Sequence, residues 1–400
     1  MSALFPFHGG LKTVRHKIES NQGSILAGPL PRQLTVPLRQ HIGAIAKPLV
    51  QAGDQVLKGQ MIGQADGYIS AAVHAPSSGM VTAVESRPVP HPSGLPDACV
   101  IIDTDGEERW IERQAVDYRR LHSSEVRGAL RNAGVVGLGG AVFPSAVKLN
   151  PGGHDKPLDT LILNGAECEP WITCDDRLMR ERAAGIVAGL HVMVHLLEPR
   201  EVLIGIEDDK PDAAVAMTAA CAGTGYQVRV VPTRYPSGSV KQLVHLLTGK
   251  EIPYDGLPAD IGVQCFNVAT AHAVHRAIDF GEPVLSRVVT VTGQIAQPGN
   301  IEVLLGTPFA ALVELCGGYR DGVERLIMGG PMMGFALHND EVPVTKATNC
   351  ILAAGAEALT PEQPPMPCIR CGACVEVCPA NLLPQQLYWH ARAKEFDKAQ

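Results

Sequence analysis

Four cysteines lie close together near the end of the chain, in the segment CIRCGACVEVCP from Cys368 to Pro379. Their spacing of two, two and three residues, followed by proline, is typical of the ferredoxin run whose thiolates ligate [4Fe-4S] clusters. Zinc is the main alternative, but four-thiolate zinc sites usually pair two Cys-x-x-Cys knuckles across a longer spacer. The run therefore predicts iron–sulfur ligands at Cys368, Cys371, Cys374 and Cys378.

The fourth cysteine of such a run has a separate role. In two-cluster ferredoxins it ligates the other cluster, so one run supplies three ligands to one cluster and one to a second. By that rule, both clusters are incomplete in this sequence.

A glycine-rich stretch, GLGGAVFPSAVK, forms the second candidate site. Gly137, Gly139 and Gly140 let backbone N–H groups approach an anion without a Cβ in the way. The stretch is not a Rossmann fingerprint, because Val142 stands where the third glycine would be. An ordinary loop ahead of a helix that starts near Pro144 is the alternative interpretation.

Two carboxylates follow a short apolar run in TLILNGAECEP. The run predicts a buried strand that ends at the Asn164-Gly165 turn. Glu167 and Glu169 alternate along the next segment, so an extended backbone would place both on one side. A solvated face is the usual explanation for such residues, but the carboxyl end of a strand in an open α/β sheet is where ligands bind.

Length and composition limit the function. The 400 residues predict about two or three domains. A net charge of -7, from 34 basic and 41 acidic residues, argues against a nucleic-acid partner. Eleven cysteines without a secretory signal indicate a reducing compartment. The sequence has no apolar stretch long enough to span a bilayer, so any membrane association is expected to be peripheral.

The segment from Thr35 to Ser86 alternates short apolar runs with turns, which is typical of β structure. The order of its apolar runs and turns resembles that of the barrel-sandwich hybrid fold of biotinyl and lipoyl carriers. Such carriers present a lysine at the tip of a hairpin, whereas this chain has Pro76-Ser77-Ser78-Gly79 there. A carrier function is therefore disfavoured.

Taken together, the motifs resemble a known family. The glycine loop, NGAECEP, YPSGSVKQLVHLLTG from Tyr235, FNVAT from Phe266 and the cysteine run occur in the order found in the C subunits of Rnf electron-transport complexes. A more distant similarity is to the flavin-bearing NADH dehydrogenase subunit of respiratory complex I. The resemblance covers nearly the whole chain.

The resemblance implies a multidomain α/β protein whose β-grasp module packs between the flavin and cluster domains. The implied parts are an N-terminal arm (1–30), a barrel-sandwich hybrid (31–115), a Rossmann-like α/β domain binding FMN and NADH (116–284), an SLBB β-grasp module (285–355) and a truncated ferredoxin-type iron–sulfur segment (356–400).

The resemblance also implies which residues contact the cofactors. Those around the flavin phosphate and ring are Gly137, Gly139, Gly140 and Lys148. Asn164 is expected to hydrogen-bond the flavin, and Glu167 and Glu169 to face the flavin and the incoming NADH. Asn267 and Thr270 complete the ribityl-phosphate side, and Tyr235 lies at the dinucleotide contact.

This sequence departs from the family pattern at two places. Val142 stands where relatives usually have glycine, which puts a branched side chain where close backbone approach is expected. Ser239-Val240 replaces the Gly-Glu that relatives tend to carry after Tyr-Pro-x-Gly, so a carboxylate is lost near Tyr235.

The implied function is electron input to a membrane-bound, ion-translocating oxidoreductase. NADH gives up two electrons as a hydride and an iron–sulfur cluster takes one, so FMN must stand between them. Implied partners are the other membrane subunits of the complex, and ferredoxin or flavodoxin as its redox partner. The implied location is the cytoplasmic face of the cell membrane. A non-catalytic scaffold or carrier-like subunit that uses the hybrid and β-grasp modules for binding is the alternative.

The chain stops 21 residues after Pro379, within a polar, helix-favouring stretch. In the family a second cysteine run follows such a stretch. We therefore expect that the sequence is cut, and that the parent protein carries two [4Fe-4S] clusters.

Overall fold

The computed structural model describes residues 4–150, 158–359, 364 and 366–399. The N-terminal arm runs across the surface of other parts of the chain and contains one short strand, β1 (Leu26–Ala27). This strand pairs in parallel with residues 301 and 302 of the β-grasp module. The arm is thus held by partners that lie far away in sequence.

The barrel-sandwich hybrid consists of two small sheets around an apolar core, which confirms this part of the predicted fold. Its strands are β2 (Gln33–Pro37), β3 (Lys47–Pro48), β4 (Gln55–Val56), β5 (Met61–Gln64), β6 (Val73–His74), β7 (Gly79–Arg87) and β8 (Asp97–Thr104). One sheet has the order β2-β8-β7-β4 and the other β3-β5-β6. Leu34, Val36, Ile62, Val81 and Ile102 are among the core residues.

The turn that would carry a cofactor lysine in a carrier protein is covered. Ser77 and Ser78 are fully buried. The Ser78 hydroxyl accepts from the Arg109 backbone N–H at 2.8 Å and donates to Asp105. This burial agrees with a structural rather than a carrier role for the hybrid module.

The central domain is built on a parallel sheet with helices on both faces. Its elements are α1 (Ser123–Asn132), α2 (Ser145–Lys148), β9 (Thr160–Gly165), α3 (Cys174–Leu197), β10 (Glu201–Glu207), α4 (Pro211–Ala220), β11 (Gln227–Val231), α5 (Val240–Thr248), a 3₁₀ turn (Pro258–Ile261), β12 (Val263–Asn267) and α6 (Val268–Asp279). Leu161 and Leu163 of β9 belong to the core that includes α3 and α6, whereas Ile162 belongs to the core that includes α5. Alternate side chains of one strand therefore serve two helical layers.

The strand order of this sheet is β11-β10-β9-β12. The chain moves outward from β9 to β10 and β11 and then returns to the other side of β9 for β12. Open α/β sheets bind ligands beyond the carboxyl ends of the strands where the order reverses. That point lies between β9 and β12.

The β-grasp module follows as a mixed sheet with one helix. Its elements are β13 (Ser286–Gly293), β14 (Gly299–Leu304), α7 (Phe309–Leu315), β15 (Arg325–Met328), β16 (Phe335–Leu337) and β17 (Cys350–Ala354). Together with β1 they form a six-stranded sheet, in the order β1-β14-β13-β17-β15-β16.

The cysteine segment contains α8 (Ala373–Glu376), α9 (Pro384–Arg392) and α10 (Phe396–Ala399). Gly10 donates its N–H to the Val377 carbonyl at 2.8 Å, and the Gln242 amide donates to the Pro379 carbonyl at 3.4 Å. These bonds attach the segment to the arm and to α5, whereas the resemblance implied that the β-grasp module packs against it. Within the described ranges, no helix combines the length and the apolar character needed to cross a membrane.

Candidate cofactor cavity and cysteine segment

A cavity of about 740 Å³ lies at the carboxyl ends of β9 and β12. Two of its walls come from the glycine loop and from the segment that follows β9. The β-grasp module closes it with the loop Met328–Gly334. Seven predicted site residues line this cavity: Gly139, Gly140, Asn164, Glu167, Glu169, Tyr235 and Asn267.

Two asparagines occupy matching positions at the strand ends. Asn164 and Asn267 are in register on β9 and β12. The Asn164 amide donates to the Gly238 carbonyl at 2.9 Å, and its oxygen accepts from the Ala166 N–H at 3.0 Å. Asn267 caps α6 by accepting from the Ala269 N–H at 2.8 Å. Both side chains are therefore fixed before any ligand arrives.

The glycine loop approaches the cavity closely. A Cβ on Gly139 would lie 3.2 Å from the Asn267 Cβ, whereas Gly140 faces open space with φ of +105°. Val142 has φ of +42°, an unfavourable conformation for a β-branched residue. Its side chain packs against the core and does not line the cavity. The departure from the family pattern thus leaves the cavity free.

Glu167 is not part of an extended segment, contrary to the sequence prediction. Its φ is +52°, and its carboxylate turns to the start of α3. There it accepts from the backbone N–H groups of Asp175 at 2.7 Å and Asp176 at 3.3 Å. A helix N-terminus stabilises such a negative charge. Burial raises the pKa of Glu167 to about 8, and the Lys17 ammonium opposes the shift.

Glu169 contacts the β-grasp module. Its Oε2 accepts from the Met332 N–H at 3.0 Å. Its Oε1 is buried and has no hydrogen-bond partner among the described residues. Burial raises the pKa of this carboxyl. The two glutamates therefore diverge, because one binds a helix N-terminus and the other binds a loop of another module.

Three predicted site residues lie outside the cavity lining. Lys148 donates to the Cys265 carbonyl and lies over the Phe266 ring, 4.5 Å from its centroid, and burial lowers its pKa. Gly137 donates its N–H to the Phe143 carbonyl. Thr270 accepts from the Leu138 N–H at 2.8 Å, which holds the glycine loop from behind.

Sequence reasoning missed two parts of the site. One is the loop MGGPMMG of the β-grasp module, whose three glycines and three methionines in seven residues were a usable signal. A Cβ on Gly330 would lie 2.1 Å from Glu169 Oε2, so glycine allows the Glu169 carboxylate to lie this close to the loop. The other is Lys17 of the N-terminal arm. It lies 150 positions from Glu167 in the sequence, and no motif around it indicates a role in the site.

Comparison with known proteins agrees with this division of the chain. The Nuo51 FMN-binding domain matches residues 130–276, and the RnfC barrel sandwich hybrid domain matches residues 5–107. The SLBB domain matches residues 288–336, and a 4Fe-4S binding domain matches residues 365–383.

The C subunit of the ion-translocating oxidoreductase complex of Pseudomonas aeruginosa is 49% identical over 400 residues, which is 100% of this chain and 52% of that protein. The chain belongs to the RnfC family. It spans about half the length of the relative that it matches.

Two solved structures of an NAD⁺-reducing [NiFe]-hydrogenase also match. For the air-oxidised state the TM-score is 0.48 at 20% identity, covering 58% of this chain and 47% of that one. For the H₂-reduced state it is 0.47 at 18% identity, covering 59% and 48%.

The cavity lies mostly within the part of the chain that matches the Nuo51 FMN-binding domain, so its lining can be compared with the chemistry of FMN. It lies at the reversal point of a parallel sheet, and fixed amides and a glycine loop form its walls. The unpartnered Oε1 of Glu169 offers a buried acceptor. These residues fit a planar ring with a polar chain.

The cysteine segment fits an iron–sulfur cluster of the family. Cys368, Cys371 and Cys374 are exposed, Cys378 is half-buried, and none of them is in a disulfide. The Leu382 N–H points at Cys378 Sγ, 3.4 Å away. Backbone N–H groups directed at sulfur are one means by which proteins tune such clusters.

Proposed function

We propose that this chain is the electron-input subunit of a membrane-bound ion-translocating oxidoreductase, and that it passes electrons from NADH through FMN to iron–sulfur clusters. One observation carries the proposal: the arm joins the cavity to the cysteine segment. Leu11 pairs with Tyr235 of the cavity wall through two backbone hydrogen bonds of 2.7 and 2.9 Å, and the adjacent Gly10 donates to Val377, next to Cys378.

We infer that FMN occupies the cavity. Gly139 and Gly140 would give backbone access to its phosphate, and Asn164 and Asn267 would bind its polar edges. When bound, FMN accepts an electron pair as hydride and releases single electrons. Gly137, Thr270 and Lys148 are assigned supporting roles, because they shape the glycine loop and the end of β12 without reaching the cavity.

The glutamates would act on the bound flavin and nucleotide. Glu169 Oε1 would accept a hydrogen bond from the bound group. The Glu167 carboxyl is fixed at the start of α3 by the Asp175 N–H, where it would gain or lose a proton. Tyr235 lies where the dinucleotide would enter. The β-grasp loop covers the opposite wall and would help to exclude water.

The four cysteines Cys368, Cys371, Cys374 and Cys378 would hold [4Fe-4S] iron, and the proposal includes two such clusters. Further partners are the membrane subunits of the complex, with ferredoxin or flavodoxin as its redox partner. The assignment also places the chain at the cytoplasmic face of the membrane. The assignment as an electron-transfer subunit is supported by the matches to the FMN-binding and 4Fe-4S binding domains and by the name of the relative.

The test is an anaerobic titration of the chain after incubation with FMN, iron and sulfide. NADH should bleach the flavin absorption band, and EPR should then detect a reduced cluster. A protein that takes up neither cofactor would overturn the proposal. Uptake of both cofactors without bleaching would remove NADH as the donor but leave the electron-transfer role.

A further inference from the structure

The N-terminal arm crosses the loop that carries both cavity glutamates. The Arg15 carbonyl accepts from the Trp171 N–H at 2.9 Å. The His16 ring stacks on the Trp171 ring, with centroids 3.9 Å apart and planes 2° apart. The Ser20 hydroxyl bonds the Thr173 hydroxyl at 2.8 Å. The arm residues 15–20 thus follow the loop 167–173 along its length.

Lys17 makes the central contact. Its ammonium donates to the Glu167 carbonyl at 2.6 Å and to the Ile172 carbonyl at 2.7 Å. These carbonyls stand at the two ends of the loop, so one side chain closes it. The same ammonium lies 3.8 Å from Glu167 Oε2. Lys17 is 7% exposed, and burial of an ammonium is unfavourable unless its partners are well placed.

The loop 167–173 needs such support because two of its residues have left-handed backbone conformations. Glu167 has φ of +52° and Trp171 has φ of +74°. Left-handed conformations are uncommon for residues other than glycine and persist where the surroundings hold them. Trp171 is held by Arg15 and His16, and Glu167 by Lys17 and the start of α3.

Other charges surround Lys17 from the neighbouring strand and helix ends. Lys210 is buried and pairs with Glu207 at 2.9 Å and with Asp209 at 2.7 Å. Burial lowers the pKa of Lys17, Lys210 lowers it further, and the carboxylates of Glu167, Glu207 and Asp209 oppose this shift. Asp175 and Asp176 raise the pKa of Glu167, whereas Lys17 and Lys210 lower it. Lys17 is therefore the cation nearest Glu167 within a mixed, buried network.

We propose that the arm segment 15–20 is a brace for the cavity, with Lys17 as a positioning residue that sets the place and the charge of Glu167. The inference rests on the proposed FMN site, and it gives that site a residue from a different module. Lys17 acts through the loop and does not itself contact the flavin.

The experiment compares FMN binding by the cofactor-free chain, followed by quenching of flavin fluorescence from pH 5 to pH 9. The variants are Lys17→Met, Lys17→Arg and the matched control Lys12→Met, at an exposed lysine of the same arm. Lys17→Met should weaken FMN binding by about tenfold, because two charge-assisted hydrogen bonds are lost. Lys17→Arg should restore most of the affinity, and Lys12→Met should leave it unchanged.

The pH profile separates positioning from general stability. Without the nearby ammonium, the pKa of Glu167 rises, so the inflection in the Lys17→Met profile should move to higher pH. In a Glu167→Gln background the same substitution should move no inflection. Wild-type affinity and an unmoved inflection in Lys17→Met would overturn the brace, whereas a wild-type chain that binds no FMN would overturn the proposed function instead.

A milder variant covers the case in which Lys17→Met does not fold. Ser20→Ala removes only the hydroxyl bond to Thr173. It should weaken FMN binding by about twofold to fivefold and speed amide exchange in the 167–173 loop. Unchanged affinity and exchange in Ser20→Ala would contradict the brace.

Discussion

The cavity and the cysteine segment differ in how far apart in the sequence their residues lie. The cavity is lined by the central domain and the β-grasp module and is supported from behind by the arm, and its polar groups largely bond to one another. The cysteine segment carries its four thiols within one short, exposed stretch. The first site is organised by tertiary packing and the second by local spacing, so damage to one should leave the other intact.

The largest expected effect separates the two sites completely. Cys371→Ser should lower the bound iron of the reconstituted chain by about tenfold or more, because a thiolate ligand is lost. FMN binding should stay within twofold. Iron analysis and flavin fluorescence measure the two sites in parallel, and the buried Cys221→Ala serves as the control. A parallel loss of FMN would contradict their independence.

The reverse experiment targets the cavity. Gly330→Ala places a Cβ 2.1 Å from Glu169 Oε2, so the Glu169 carboxylate or the β-grasp loop must shift. We expect FMN affinity to fall by about tenfold and the free energy of unfolding by about 1–3 kcal/mol. Gly128→Ala in α1, where a Cβ meets nothing within 4 Å, should be neutral or slightly stabilising. Iron content should not change, and a change would show that the sites are coupled.

A third variant tests the junction between the sites. Gly9 has φ of +65°, and a Cβ there would lie 2.7 Å from the Val377 carbonyl oxygen. Gly9→Ala should release the cysteine segment, so proteolysis after residue 366 should become about threefold faster or more. FMN affinity should hold, since the Leu11–Tyr235 pairing is unaffected. Unchanged proteolysis would argue against docking of the segment on the arm.

The smallest effect is electrostatic. The folded-state pKa of Glu167 is about 8, compared with 4.5 for a free side chain. Between these values the folded state binds the proton that the unfolded state has lost, so Glu167 makes the fold less stable as pH rises from 5 to 8. Glu167→Gln removes this contribution.

The measurement is denaturant unfolding at pH 5 and pH 8. The wild-type protein should lose more stability between the two values than Glu167→Gln does. Other groups titrate in both proteins, so only the difference between them reports Glu167. Equal losses would mean that Glu167 is ionised throughout, held by the start of α3.

Much of the architecture could be predicted from local patterns. The apolar run TLILN predicted β9, and the turn-rich stretch before it predicted the hybrid module; both are present. The cysteine spacing predicted a 4Fe-4S segment, which the family match supports. These features depend on residues a few positions apart, so the sequence displays them directly.

The arrangement of the cavity could not be predicted in this way. Glu167 and Glu169 were expected side by side, but one binds the start of α3 and the other the β-grasp loop. Lys148 donates to the Cys265 carbonyl and lies outside the cavity lining, so its expected place near the flavin stays a prediction. Long polar side chains bond to whichever buried acceptor the packing brings near, and periodicity does not reveal that acceptor.

The sequence by itself therefore predicted the modules and their order, through local patterns and a family resemblance, and it predicted the four thiol ligands from their spacing. Only the tertiary structure decided that Lys17 closes the glutamate loop across 150 positions, and that the cysteine segment docks on the arm. Both contacts join segments far apart in the chain. They arise when several cores pack together and their buried polar groups find partners, which no local pattern encodes.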